Sequence, residues 1–201
     1  MNFDLETVKK NFIRRGFQAV VCDDLQQATR FIIEKFPVNN DMIIGMGNSL
    51  TLDAIGIKKI WAAQASVYQH TLGSSESETK KALLADIYLT SANAVSSDGQ
   101  IINIDGTGNR TAATCYGPKQ VIYVIGKNKI AVSLEEAIKR ARNTAAVQNA
   151  KRYSRKTPCA VTGKCENCLS PECICAVMTI HRKQPYGVKI MVVLVNEAAG
   201  F

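Results

Sequence analysis

Short apolar stretches alternate with amphipathic stretches along the whole chain, and this alternation predicts its secondary structure. Apolar residues at helical spacing follow Asp4 and again follow Asp24, and aspartate is a favoured residue at a helix N-cap. Short apolar runs typical of buried strands lie between the amphipathic stretches. The predicted strands are 17–22, 42–47, 65–69, 86–91, 101–104, 120–126 and 189–195.

The alternation of strands and helices predicts an α/β fold with three layers. The run from Gln120 to Gly126 is almost wholly apolar, as in a central parallel strand that helices cover on both faces. Strands separated by helices usually pair in parallel, so we expect a mostly parallel sheet with helices on both faces. We expect one domain over residues 1–201, with residues 148–186 as a Cys-rich insertion of weak periodicity near the C-terminus.

The composition matches an ordinary globular protein. The 201 residues are 46% hydrophobic and 21% charged, which suffices for a full core. No apolar run approaches the roughly 20 residues that a membrane-spanning helix needs. Residues 1–10 include Asp4 and Glu6 and lack the apolar centre of a signal peptide. We therefore expect a cytoplasmic protein without membrane association, in which the seven cysteines stay reduced.

Positive charge is concentrated in one part of the chain. The net charge is +8, and residues 139–156 contain seven lysines and arginines but no aspartate or glutamate. Such a stretch favours an anionic partner, although a solvated helix face followed by a loop would have the same composition. Tyr153 alone offers an aromatic ring among these charges, so binding of nucleic acid is disfavoured.

A glycine-rich loop follows the predicted strand 42–47, a place where ligands commonly bind in α/β sheets. Its glycines let a ligand approach the backbone, and Ser49 and Thr51 offer hydroxyl donors. The loop lacks the third glycine of a dinucleotide-binding fingerprint and the lysine of a Walker A loop. A tight strand-to-helix turn is therefore an equally good interpretation of this loop.

A second polar loop leads from Asn93, through a short strand, to Arg110. The guanidinium of Arg110 can clamp a carboxylate or phosphate, and the asparagines can orient it. For Asp105 we favour a cap of the next turn over a general base, because no histidine or second carboxylate lies beside it in sequence. The candidate ligand-binding residues of the two loops are Gly45, Gly47, Asn48, Ser49, Thr51, Asn93, Asp105, Gly106, Gly108, Asn109 and Arg110.

Three stretches of the sequence resemble the LUD domain of bacterial lactate-utilization proteins. They are GMGNSLTLDAIGI at 45–57, LTSANAVSSDGQIINIDGTGNR at 89–110 and YGPKQVIYVIGKNKI at 116–130. The resemblance implies the superfold shared by ribose-5-phosphate isomerases, glucosamine-6-phosphate deaminases and CoA transferases, with the ligand site at the two loops. Similar proteins are implicated in oxidising lactate to pyruvate, in complexes with iron–sulfur proteins.

The sequence departs from the pattern of the family in two places. Asn48 stands where similar proteins more often have glycine or serine. The ferredoxin-type C-x2-C-x2-C-x3-C-P run is also missing, so the chain resembles the small, LUD-only proteins. Neither the glutamate nucleophile of CoA transferases nor the acid and base groups of the isomerases can be placed. The catalytic residues therefore stay unassigned.

Five cysteines lie close together in the spacing C-x5-C-x2-C-x4-C-x-C. Cys165 and Cys168 form a chelating pair, because a two-residue spacer can direct two thiolates at one ion. The resemblance implies Cys159 and Cys175 as the other two ligands, with Cys173 as an alternate, since similar proteins often have arginine at 173. A four-thiolate site suits zinc or an iron–sulfur cluster, and reduced thiols without metal are the alternative.

Two functional hypotheses follow. The first is a lactate-utilization-type protein, redox-associated or an oxidoreductase subunit, with an iron–sulfur or zinc site and an iron–sulfur protein as partner. The second is a small-molecule enzyme or sensor that binds a phosphorylated or carboxylated metabolite at the strand-end loops, with purely structural cysteines. The sequence does not show whether the two loops and the cysteines are adjacent in the fold. It also leaves the oligomeric state open, with a homodimer as one possibility.

Overall fold

The computed structural model describes residues 3–71 and 74–201. The strands are β1 (Gln18–Cys22), β2 (Ile43–Gly47), β3 (Ser66–His70), β4 (Ile87–Thr90), β5 (Ala94–Ser96), β6 (Ile101–Asp105), β7 (Gln120–Gly126), β8 (Ile130–Ala131), β9 (Val177–His181) and β10 (Lys189–Val195). The α-helices are α1 (Leu5–Arg14), α2 (Leu25–Lys35), α3 (Leu50–Ile55), α4 (Ile57–Ala62), α5 (Glu76–Leu83), α6 (Asn109–Cys115), α7 (Leu134–Arg140), α8 (Val147–Arg152) and α9 (Pro158–Thr162).

The central sheet has six parallel strands in the order β1-β10-β7-β4-β2-β3. Helices cover both of its faces, as β7 at its centre illustrates. Val121 and Tyr123 pack into one core cluster with α1, whereas Ile122 and Val124 pack into a second cluster with α2, α3 and α4. Both faces are therefore buried, and the predicted α/β fold class with a mostly parallel sheet is confirmed.

Local hydrogen bonds explain where several helices begin. The side chain of Asp4 accepts a hydrogen bond from the backbone N–H of Glu6, and α1 starts at the next residue after Asp4. Asp24 accepts from the N–H of Gln27 at 2.6 Å and caps α2 in the same way. These side-chain oxygens satisfy N–H groups that have no partner inside the helix. The predicted starts of these two helices are confirmed.

A second, smaller sheet lies beside the central one, in the order β8-β5-β6-β9. β6 pairs antiparallel with β5 and with β9, whereas β5 and β8 are parallel. The sequence analysis did not separate this sheet. β9 falls within residues 148–186, where the exposed side chains of Val177, Met178 and Ile180 blur the alternation that marks a half-buried strand.

One long helix, residues 134–152, packs against the small sheet. It consists of α7, a π-helical segment (Ala141–Ala146) and α8. Alanines at 137, 141 and 146 face the small sheet and form a third core cluster with Ile102 and Ile104. The long helix carries most of the basic stretch 139–156, which is thereby brought near the ends of the strands. Within 3–71 and 74–201, none of the helices has the length and apolar character to span a bilayer.

Candidate functional site

The polar loops selected from the sequence meet where strands of the two sheets end. Asn48 follows β2, Asn93 follows β4, and Asp105 is the last residue of β6. All three side chains line one cavity of about 190 Å³, which we call the arginine pocket. The candidate ligand-binding residues in its wall are Asn48, Asn93, Asp105, Gly106, Asn109 and Arg110.

Three other candidates do not line the arginine pocket. Ser49 lines a smaller neighbouring cavity. Thr51 is fully buried, and its Oγ1 donates a hydrogen bond to the carbonyl oxygen of Ala199 at 2.9 Å. Gly45 lies within β2, where an added Cβ would come 2.5 Å from the ring of Tyr88. Glycine at position 45 is therefore explained by the close packing of β2 against Tyr88 and not by contact with a ligand.

The last two candidates, Gly47 and Gly108, support Arg110 without lining the pocket. A Cβ on Gly47 would lie 2.7 Å from Oγ1 of Thr90 and 3.1 Å from Cδ of Arg110, so glycine leaves room for the arginine side chain. Gly108 has a φ of +89°, a left-handed conformation that glycine adopts without strain, and it immediately precedes α6. Both glycines therefore help to set the position of Arg110.

Arg110 and Asp105 form the fixed part of the arginine pocket. The Oδ2 atom of Asp105 accepts the backbone N–H of Arg110 at 3.0 Å and that of Thr111 at 3.3 Å, so Asp105 satisfies N–H groups in the first turn of α6. The same oxygen lies 3.6 Å from Nε of Arg110, and Nη2 of Arg110 donates to the carbonyl of Ile104. Across the described part of the chain, Nη1 of Arg110 has no acceptor, so it is available to a ligand.

His70 also lines the arginine pocket, but both of its ring nitrogens are occupied. Nε2 lies 3.2 Å from the carbonyl oxygen of Thr79, which can only accept, so Nε2 carries the proton. Nδ1 lies 2.9 Å from the hydroxyl of Tyr88 and accepts its hydrogen. Burial lowers the pKa of His70, which favours this neutral form. The histidine is therefore a poor candidate for a free base.

The basic stretch 139–156 contributes residues that the sequence analysis did not select individually. Arg155 lines the arginine pocket, and its Nε is buried without a hydrogen-bond partner among the described residues. Nη2 of Arg152 donates to Oδ1 of Asn48 at 3.3 Å. The concentration of positive charge, which predicts an anionic partner, was the only feature of the sequence that pointed to these residues. The structure brings two arginines of the stretch to the predicted loops.

A smaller cavity of about 30 Å³, which we call the lysine cleft, adjoins the arginine pocket. The two cavities share Asn48, Asn93, Arg110 and Asn149 as wall residues. Lys129 lies in the wall of the lysine cleft, and burial together with the charges of Arg140 and Arg110 lowers its pKa to about 7. The sequence analysis missed Lys129, because nothing in the local sequence distinguishes it from a surface lysine.

The five clustered cysteines line a third cavity of about 180 Å³, which we call the cysteine cavity. Nη2 of Arg142, on the long helix, lies 3.5 Å from Sγ of Cys165. Burial, together with Cys173, Cys165 and Cys159, raises the pKa of Cys175 to about 12. Over residues 3–71 and 74–201, no three His, Cys, Asp or Glu side chains are grouped tightly enough to hold a metal ion.

The arginine pocket and the cysteine cavity share a wall. Ile104, Ala146 and Ile174 line both of them. The sequence could not place the two regions relative to each other. In the structure they are neighbours, because Ile174 lies among the clustered cysteines while Ile104 lies at the end of β6.

The fold and these cavities define an α/β protein with a cation-rich pocket at the carboxyl ends of its strands. The chain belongs to the LUD-domain family, whose pattern matches residues 5–195. No protein of curated function matches it in sequence.

The fold is also similar to that of solved structures. A DUF162 family protein from Deinococcus radiodurans has 16% sequence identity and a TM-score of 0.54, with 96% of each chain covered. The β subunit of eIF2B from Chaetomium thermophilum has 17% identity and a TM-score of 0.38, over 56% of this chain and 44% of that one. The eIF2B δ subunit of the same organism has 13% identity and a TM-score of 0.37, over 68% and 58%. The first of these likenesses supports the fold alone.

Proposed function

We propose that this LUD-domain chain is a cytoplasmic, lactate-utilization-type protein that binds a small carboxylated or phosphorylated metabolite beside a thiol-based redox or metal centre. The observation that carries the proposal is the wall of Ile104, Ala146 and Ile174 between the arginine pocket and the cysteine cavity. A ligand in the arginine pocket would lie one layer of side chains away from the thiols. Membership of the LUD-domain family supports the link to lactate.

The charges of the arginine pocket favour an anion. Arg110 and Arg155 both line it, and Asp105 is the carboxylate that partly offsets them. Nη1 of Arg110 and the buried Nε of Arg155 lack acceptors within the described ranges, and charge-assisted hydrogen bonds to a carboxylate or phosphate would satisfy them. The amide groups of Asn48 and Asn93 would orient the rest of the ligand.

The chemistry of the cysteine cavity suits a metal with thiolate ligands. We propose Cys159, Cys165, Cys168 and Cys175 as the ligands, with Cys173 as the alternate. The positive charge of Arg142 near Cys165 would offset part of the thiolate charge. The thiols would have to move closer together on binding, since they are not grouped as a finished site. An iron–sulfur cluster would supply electron transfer to an iron–sulfur partner, whereas zinc would supply a structural crosslink.

Metal analysis of protein purified without oxygen tests the thiol centre. We expect either iron with a brown colour or zinc in a fixed ratio to the chain, and loss of the metal in Cys165→Ser and Cys168→Ser. Cys173→Ser should keep most of the metal if Cys173 is the alternate ligand. Cys115→Ser is the matched control, because Cys115 is exposed and lies outside the cysteine cavity. Metal-free protein, or full retention of metal in Cys165→Ser, would contradict this part of the proposal.

Binding experiments test the arginine pocket. Titration calorimetry with L-lactate, pyruvate, propionate and inorganic phosphate should find at least one ligand. Arg110→Ala should weaken its binding about tenfold or more, since a hydrogen bond between charged groups contributes roughly 1.5–3 kcal/mol. Arg30→Ala, which removes the same charge from the exposed surface of α2, should bind normally. Equal binding by both variants would place the ligand elsewhere.

A second candidate function is a metabolite-binding enzyme or sensor in which the cysteines are purely structural. The ungrouped thiols favour it, because they are not arranged as a finished metal site within the described residues. The same experiments separate the candidates. Here we expect metal-free protein, or zinc without any redox activity, together with unchanged ligand binding in Cys165→Ser.

A further inference from the structure

Lys129 is a buried cation that ligand binding in the arginine pocket does not use. It is 3% exposed and lies in the turn that follows β7. Its Nζ atom donates to Oγ1 of Thr51 and to Oγ of Ser91, both at 2.9 Å. These hydroxyl groups carry no charge, so the ammonium group has hydrogen bonds but no counter-ion.

The surroundings of Lys129 are rich in positive charge. In the part of the chain that the structure describes, none of Lys129, Arg140 and Arg152 forms an ion pair with a carboxylate. Arg110 pairs with Asp105 only at 3.6 Å. A buried cation among other cations costs free energy that packing alone does not explain, because methionine would fill a similar volume without charge. Phe201 also lines the cleft, but no carboxylate of the described residues pairs with Lys129, so an anionic group from outside the chain would supply the missing negative charge.

The lysine cleft provides room for such a group. Its volume of about 30 Å³ exceeds what a single water molecule requires, so a small group can enter it. A carboxylate presents two acceptor oxygens, one for the ammonium group of Lys129 and one for the hydroxyl group of Ser91. Ser91 lies in the wall, and within the described residues its hydroxyl has no acceptor, so it is free to donate to that carboxylate.

We propose that Lys129 and Ser91 form a second anion subsite, and that the ligand of this protein is a small dicarboxylate. One carboxylate meets Arg110 in the arginine pocket, and the other meets Lys129 in the lysine cleft. The side chains of Asn48 and Asn93 line both cavities and contact the carbon chain between the two carboxylates. This inference rests on the proposed function for the first carboxylate and adds the second charge of the ligand.

Dicarboxylate binding is coupled to the protonation of Lys129. The pKa of Lys129 is lowered to about 7 when the cleft holds no anion, so much of the amine is neutral above that pH. A carboxylate in the cleft stabilises the ammonium form and raises this pKa. The protein therefore takes up a proton on binding above pH 7, and its affinity for a dicarboxylate falls as the pH rises towards 9.

The test compares dicarboxylates with monocarboxylates of the same number of carbon atoms on the unsubstituted protein. Titration calorimetry at pH 6.5 pairs malonate with propionate and succinate with butyrate. We expect one dicarboxylate to bind about tenfold or more tightly than its partner, as a second charged contact would provide. At pH 8.5, titrations in two buffers of different ionisation enthalpy should reveal proton uptake for that dicarboxylate and none for its partner.

Lys129→Met is the decisive variant, and Lys35→Met, on the exposed end of α2, is its matched control. Lys129→Met should bind the monocarboxylate normally and lose both the dicarboxylate preference and the proton uptake. The control should keep all three. If Lys129→Met does not fold, the presence or absence of proton uptake by the unsubstituted protein still tests the second subsite.

The outcomes separate this inference from the proposed function. Monocarboxylate binding without any dicarboxylate preference, or a preference that survives in Lys129→Met, overturns the second subsite and leaves the arginine pocket as a ligand site. Absence of proton uptake in the unsubstituted protein also overturns the inference. If no carboxylate of either series binds, the proposed metabolite site and the second subsite both fail.

Discussion

A Cβ atom added to Gly106 would lie 3.2 Å from the Cα atom of Ile174, so the loop after β6 and the cysteine segment meet at the level of the backbone. Gly106 lines the arginine pocket, and Ile174 lines both that pocket and the cysteine cavity. This contact sets the distance between a bound ligand and the thiols. Four predictions follow from this contact and from other close contacts in the site.

Substitution of Gly106 should separate the two segments in proportion to the size of the new side chain. The neighbouring atom belongs to the backbone of Ile174 and cannot rotate away. We expect Gly106→Val to lower the free energy of unfolding by about 1–3 kcal/mol, and Gly106→Ala to lower it less. Urea denaturation measures the stability, and the rate at which a thiol reagent modifies the cysteines should rise in the same order. A valine variant as stable and as slowly modified as the original chain would contradict this contact.

Gly47→Ala should displace Arg110 as well as destabilise the strand. The new Cβ would meet Oγ1 of Thr90 and Cδ of Arg110, and overpacking of this kind costs about 1–3 kcal/mol. The double variant Gly47→Ala/Thr90→Ala removes the first contact but keeps the second. It should therefore recover part of the stability without recovering ligand affinity. Recovery of both quantities would show that only Thr90 is disturbed.

The stability of the protein should depend on pH through Lys129. The pKa of this lysine is about 7 in the folded chain, well below its ordinary value, because of burial and two nearby arginines. The unfolded chain therefore binds more protons than the folded chain above pH 7. Consequently, the Lys129 contribution to the free energy of unfolding rises with pH in that window, by up to about 1.4 kcal/mol per pH unit. Urea denaturation at pH 7.0 and at pH 8.5 measures this slope.

Lys129→Met is the comparison that isolates this slope. Burial raises the pKa of the Cys22 and Cys175 thiols, so their contribution falls as the pH rises through the ordinary range of thiols. These cysteines are present in both proteins, so their effect cancels in the difference. We expect the difference in stability between the two proteins to shift in favour of the unsubstituted chain from pH 7.0 to 8.5. A constant difference would mean that Lys129 keeps an ordinary pKa.

Tyr88→Phe should test the role assigned to His70. The hydroxyl of Tyr88 is the donor to Nδ1 of His70, and both side chains are buried. Its removal leaves Nδ1 buried without a partner, which should cost about 1–3 kcal/mol of stability. Nitrogen NMR of His70 should show the Nε2-protonated neutral form in the unsubstituted protein at pH 7. A charged imidazolium at that pH would contradict this assignment.

The central sheet could be predicted because its signals are local. Asp4 and Asp24 stand where caps are required, and the run 120–126 is apolar on both faces because helices cover both faces of β7. The small sheet left weaker signals. Strands such as β8 are too short for a periodic pattern, and β9 is an edge strand with partly exposed apolar residues.

Some residues of the candidate site could likewise be predicted from local sequence, and others could not. Asn48 and Asn93 could be selected because loops after parallel strands converge at one edge of the sheet. Arg110 follows the antiparallel strand β6 and could be selected because it is the fixed cation of a polar loop. Lys129 and Arg155 could not be selected, since their importance depends on burial and on which segments pack around them. The sequence KNK around Lys129 has the composition of an ordinary surface turn, and only the packing of the loops after β2 and β4 encloses it.

The π-helical segment within the long helix has a consequence for the shape of the site. It holds one residue more than a regular α-helix would place there, and so sets the phase of α8 relative to α7. Arg142 lines the cysteine cavity, whereas Asn149 lines the arginine pocket and the lysine cleft. Winding the same residues as a regular α-helix, without any deletion, would turn α8 by about 100° relative to α7. Asn149 would then leave both cavities and Arg152 would leave the lysine cleft, although no side chain of the site had been replaced. Deletion of one residue from the segment should instead keep the phase of α8, so the chemistry of the site depends on the extra residue in this turn of backbone.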